Sequence, residues 1–165
     1  MDPYGAGGTM KNLAFYAVVV LGYLGYSAYT GADRDDTGVI VGEGTIDAFN
    51  LRVGDCFNDS SGIGDEVSDL PGVPCSEPHD YETYAVFDVA LDSYPTEDAM
   101  SELAYERCVE RFDGFVGLEY ENSILDIVTL YPTSESWKQD DREVVCALYD
   151  MNEEKLVGST RGSAI

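Results

Sequence analysis

His79 is the single histidine of the chain, and it sits among carboxylates in the segment Pro74-Cys75-Ser76-Glu77-Pro78-His79-Asp80-Tyr81-Glu82. An imidazole beside Glu77, Asp80 and Glu82 is the kind of arrangement that moves a proton or ligates a metal near neutral pH. The usual companions of such chemistry are missing from the sequence, which has no G-x-S-x-G elbow and no second histidine. A structural role fits the surroundings better, with the ring hydrogen-bonded to backbone at the start of a strand beside a disulfide. Trp137, the only tryptophan, lies in Tyr131-Pro132-Thr133-Ser134-Glu135-Ser136-Trp137 and offers either a stacking surface or a cap on a small core, with Arg142 five residues on. His79, Glu82, Trp137 and Arg142 are therefore candidate binding residues, and no residue is assigned a catalytic role.

Cys56, Cys75, Cys108 and Cys146 are the other chemically distinctive residues. Structural zinc sites bring their ligands in close pairs such as C-x-x-C, and here no two cysteines are near neighbours, so disulfides are expected and no metal or cofactor. Four cysteines allow three connectivities, and spacing alone does not choose among them. A calcium loop is suggested by Asp33-Arg34-Asp35-Asp36-Thr37-Gly38, but the twelfth position is Gly44 where the closing glutamate belongs, so this stretch reads as a solvated linker.

The elements that must position these residues follow from periodicity. Strands are expected over 45–53, 81–91, 123–131 and 142–149, where branched and aromatic residues concentrate or alternate. Between the second and third, Pro95-Thr96-Glu97-Asp98 supplies a turn, a capping hydroxyl and first-turn acid for a helix running toward Val116. Met100, Leu103, Cys108, Phe112, Phe115 and Val116 share one face of that helix, with Glu102, Glu106, Glu110 and Asp113 on the other. Cys108 on the inner helix face and Cys146 on the inner face of the last strand can meet if helix packs on sheet, which makes Cys108–Cys146 the preferred bridge and leaves Cys56–Cys75 to close the Gly/Asp-rich loop FNDSSGIGDEVSDLPGVP. The fold class expected is α+β, an antiparallel sheet stapled by two disulfides with one main helix packed on it.

Ahead of this domain, residues 12–30 form an apolar run without charge, just long enough to cross a bilayer. Lys11 precedes it, and Asp33, Asp35 and Asp36 follow, which orients the amino terminus toward the cytoplasm. The run exceeds a typical signal-peptide core of about 7 to 15 residues, so a retained single-pass anchor is expected in place of cleavage near Ala32. The organisation expected is a short cytoplasmic tail (1–11), an anchor (12–30), an acidic linker (31–44) and an extracytoplasmic domain (45–165). Thirty-two Asp and Glu against nine Lys and Arg give a net charge of −23. That excludes nucleic acid as a partner and favours cations or basic partners. With 44% hydrophobic residues the acid decorates a folded domain, not a disordered tail.

Taken together, Val53-Gly54-Asp55-Cys56-Phe57, Pro74-Cys75 with Pro78-His79 and Glu82, Cys108 and Phe112, Tyr131-Pro132, Trp137, Asp141-Arg142, Cys146 and Gly158-Ser159 resemble the septum formation family of actinobacterial envelope proteins. The resemblance runs from Leu51 to about Ser163. It implies a membrane-attached protein with an extracytoplasmic domain linked to division septa, and it supplies no catalytic residues. One departure is Asp140, where the family's W-x-x-G-D-R pattern has glycine; aspartate can take the left-handed backbone angles of that turn at some cost. The function expected is a membrane-anchored adaptor that binds envelope or division proteins, or cell-wall polymer. The competing expectations are a wall-polymer hydrolase using His79 with a nearby carboxylate, and a wall-ligand-binding module built around Trp137.

Overall fold

A computed structural model describes residues 31–58 and 68–165. The cytoplasmic tail and anchor expected over 1–30 lie outside the described residues, and among those described no helix is long and apolar enough to cross a membrane.

The sheet is built around its longest strands. β6 (Tyr81–Asp88) and β8 (Glu143–Asp150) pair antiparallel, and β7 (Leu125–Leu130) adds to the outer side of β8. On the other side of β6 come β4 (Cys56–Phe57), β5 (Asp69–Val73) and β3 (Gly44–Asp47), giving the order β3-β5-β4-β6-β8-β7 with every neighbour antiparallel. A separate hairpin pairs β1 (Asp33–Arg34) with β2 (Ile40–Gly42).

Alternation along β8 divides the core, as the twofold repeat of a strand requires. Val144, Cys146 and Leu148 face the helix α1 (Glu97–Val116), with Met100, Ala104, Cys108, Phe112 and Val116. Val145 and Ala147 point the other way, into a second cluster with Phe57, Ile40, Ile46 and Leu70. In β6 an extra residue, Tyr84, intervenes between the pairs Thr83–Ala147 and Ala85–Cys146, and both Tyr84 and Ala85 join the helix-side core. The helix begins as its sequence requires, with the Thr96 hydroxyl accepting the Ala99 N–H at 3.3 Å. It ends at Gly117, whose φ of 83° lets its N–H reach the Asp113 carbonyl.

Both disulfides have the expected pairing: Cys56–Cys75, with Cα atoms 5.2 Å apart, and Cys108–Cys146, at 5.7 Å. Three expectations need correction. Residues 33–42 are not an irregular linker but a hairpin: Asp35 Oδ1 accepts from the Thr37 and Val39 amides, and Ile40 is buried in the second core cluster. The acids there close a turn. The stretch between Cys56 and Cys75, expected as loop, contains β5, whose Gly72 permits a close approach of β3; a Cβ at Gly72 would lie 2.8 Å from an Ile46 methyl. The first strand of the domain stops at Asp47, because the Asp47 carboxylate caps a 3₁₀ turn over Ala48–Asn50.

Candidate functional site

The candidate residues fall into two groups at opposite ends of the β6–β8 ladder. Glu82 opposes Leu148 near one end, while Arg142 lies just beyond the Asp88–Glu143 pair at the other, its carbonyl accepting the Val89 N–H. His79 and Glu82 therefore cannot act together with Trp137 and Arg142.

At the first end, β4 and β6 run side by side with Cys56 opposite Glu82. The Cys56–Cys75 bridge closes over this pair, and the C-terminal segment returns to cover it. His79 exchanges both backbone hydrogen bonds with Leu156, and the Gly158 N–H donates to the Cys75 carbonyl. Glu82 fastens the segment, its carboxylate accepting the Ser159 hydroxyl on Oε1 and the Thr160 N–H and hydroxyl on Oε2, all at 2.6 Å. Such charge-assisted bonds are the strong class, and three of them satisfy most of what a buried carboxylate requires. His79 Nδ1 lies 2.8 Å from the Glu77 carbonyl, so that nitrogen carries the proton and donates, while Nε2 is buried without a hydrogen-bond partner among the described residues. His79, Glu82 and Cys56 are all 0% exposed, and only Cys75 of this group is partly open. One Glu82 carboxylate oxygen and the two sulfurs lie within 4.8 Å of one another.

The same region is braced from the hairpin. Arg34 grips Asp55, the residue before Cys56, with Nη1 at 2.5 Å and Nη2 at 2.7 Å from its two oxygens, and the Arg52 amide donates to the same carboxylate. Asp55 is 2% exposed, and its hydrogen bond and charge raise the Arg34 pKa against the opposing effect of burial.

At the second end, Trp137 is mostly buried under Arg142, whose guanidinium lies 3.6 Å from the centre of an indole ring. Arg142 Nη1 donates to the Trp137 and Asp141 carbonyls, and Tyr94 meets the indole edge-on at 5.7 Å. The arginine covers the face a ligand would stack on, so Trp137 caps the core. Asp140 ends the 3₁₀ turn over Ser136–Gln139 with φ 70° and ψ 17°, the left-handed geometry that glycine adopts at least cost.

Sequence reading missed a third feature. An open pocket of about 440 Å³ lies against β6, β7 and β8, lined by Asp80, Tyr81, Ile127, Val128, Tyr149, Asp150, Glu153 and Glu154. Tyr81 stacks on Phe57 at 5.3 Å, and Lys155 spans to Asp80 and Asn58 at 2.7 Å each. Beside the pocket, Asp126 accepts from the Tyr120 and Tyr149 hydroxyls and from the Ile127 amide. Burial pushes the Asp126 carboxyl up, but these three donors outweigh it and hold the group below the usual carboxylate range. Burial, with the bond to Asp126 and its charge, pushes the Tyr149 hydroxyl up to about 12. No local motif marks this site, because its residues come from the β6 start, the middle of β7, the end of β8 and the turn that follows. The one available signal was the run Asp150, Glu153, Glu154 at a strand end.

The family model for septum formation matches residues 53–164. No curated protein and no solved structure is detectably similar to the chain.

Proposed function

We propose, from the premise that this chain belongs to the septum formation family, that it is a membrane-anchored binding domain of the cell envelope and not an enzyme. In this reading it works outside the cytoplasm and docks division or envelope partners through its acidic sheet face. The observation that carries the reading is the fate of His79 and Glu82, the pair best suited to acid–base chemistry. Both are wholly buried, and both hold the C-terminal segment in place. A polymeric substrate reaches neither unless residues 156–160 lift away. Two disulfides support an oxidising compartment, since such bridges persist outside the reducing cytoplasm. The pocket walls supply Asp150, Glu153 and Glu154 beside two tyrosines, a surface suited to a basic segment of a partner.

The test uses the full chain. Incubated with purified wall material, the protein should release no soluble product, and cross-linked membranes should yield the same partners for wild type and for a folded His79→Ala variant. Capture by the wild type should weaken as salt is raised, and reversing charge at the pocket rim with Glu153→Lys and Glu154→Lys should lose those partners. Product release that disappears in His79→Ala would overturn the reading in favour of a hydrolase.

A further inference from the structure

We propose that the Cys56–Cys75 bridge conceals a thiophilic metal site, which opens on reduction and takes Glu82 as its third protein ligand and a water as its fourth. In the oxidised form the two sulfurs are bonded to each other, and a disulfide sulfur is a poor ligand; the thiolate is the form that binds metal. The bridge nonetheless leaves both sulfurs and one Glu82 oxygen within 4.8 Å of one another. A tetrahedral zinc with bonds of about 2.3 Å to sulfur and about 2.1 Å to oxygen sets its ligands about 3.6 to 3.8 Å apart, so no large backbone movement is required. Among the described residues Glu82 Oε1 accepts the Ser159 hydroxyl and Oε2 accepts the Thr160 N–H and hydroxyl, so the carboxylate has a lone pair left on Oε1.

Access is one-sided, because Cys56 and Glu82 are fully buried and Cys75 alone is partly open. The other bridge lacks this arrangement: Cys108 and Cys146 are both 0% exposed and no carboxylate joins them in a comparable cluster among the described residues. The steps balance. An external dithiol attacks the open Cys75 sulfur and leaves as its own disulfide, delivering two electrons and two protons to the bridge; the zinc ion then displaces both thiol protons, which pass to solvent. A chain holding zinc in this way is also protected against reoxidation.

The full chain is reduced anaerobically, freed of reductant and titrated with Zn²⁺ against a chromogenic chelator, and with Co²⁺ as a spectroscopic stand-in. We expect one equivalent bound per reduced chain, a thiolate-to-cobalt charge-transfer band with tetrahedral d–d absorption, and no binding by the oxidised chain. Cys75→Ser should abolish the band. Glu82→Gln, which keeps the side-chain size, should weaken Zn²⁺ by at least about tenfold, the effect that even outer-shell partners carry. Binding that ignores Cys75→Ser, or an unchanged affinity in Glu82→Gln, would overturn the proposal. If reduction loosens the fold, zinc should restore the far-ultraviolet circular dichroism of the wild type, and a reduced chain that stays unfolded with zinc would equally overturn it.

Discussion

Removing the Glu82 carboxylate should unfasten the C-terminal segment, and the cost follows from its three hydrogen bonds. In Glu82→Ala the amide and hydroxyl of Thr160, a residue 3% exposed in the wild type, lose their acceptor. Each such orphaned donor costs about 1 to 3 kcal/mol, and truncating a fully buried side chain adds a cavity term of about 1 kcal/mol or more. Relief from holding a charge in the interior offsets part of this, leaving a net loss of about 3 to 5 kcal/mol. Glu82→Gln behaves differently. Its oxygen can take both Thr160 donors and its amide can donate to the Ser159 hydroxyl, so mainly the charge assistance is lost, about 1 to 2 kcal/mol. Urea unfolding of the oxidised chain, followed by Trp137 fluorescence, measures both, and amide exchange at His79, Leu156 and Thr160 localises the effect. An alanine variant within 1 kcal/mol of wild type, or a glutamine variant as damaged as the alanine, would show that these bonds do not hold the segment.

Arg34→Ala should cost about 3 kcal/mol, because it strands the 2%-exposed Asp55 carboxylate with the Arg52 amide as its remaining donor among the described residues, and chemical denaturation that shows less than half of this would deny the ion pair its bracing role. Asp140→Gly should be close to neutral, since relief of the left-handed conformation offsets the added freedom of the unfolded chain, whereas Asp140→Ala should lose about 1 kcal/mol in thermal unfolding. Asp126 has a lowered folded pKa, so its contribution is present above the ordinary value of 3.8 and is lost as the pH falls below it; Asp126→Asn should flatten this part of the stability profile. Tyr149 is raised, so its contribution is present below 10.0 and lost as the pH climbs toward about 12, and Tyr149→Phe should remove that alkaline step from a stability profile against pH.

The helix and the long strands were legible because each carries a one-sided pattern over many residues: six residues of α1, from Met100 to Val116, line one face, and Val144, Cys146 and Leu148 alternate on β8. The same faces carry two of the cysteines inward, which is why Cys108–Cys146 could be inferred without coordinates. The backbone contact of His79 was legible for a related reason, since a histidine that follows Pro78 at a strand start has backbone carbonyls within reach. What escaped was short or assembled at a distance. β1, β2, β4 and β5 are two to five residues long, below the length at which alternation can be told from chance, and β5 contains both Pro71 and Gly72. Asp33 to Asp36 read as a solvated run because nothing local reveals that Arg34 reaches Asp55 across 21 residues. Ser159 and Thr160 could not be tied to Glu82, as 77 and 78 residues separate them.

A disulfide-stapled domain that works beyond the cytoplasm carries both bridges in living cells, and trapping thiols before lysis reads them there. Cells quenched with an alkylating reagent before lysis, followed by non-reducing peptide mapping of the native protein, should return Cys56 joined to Cys75 and Cys108 joined to Cys146. Recovery of all four cysteines alkylated would contradict it.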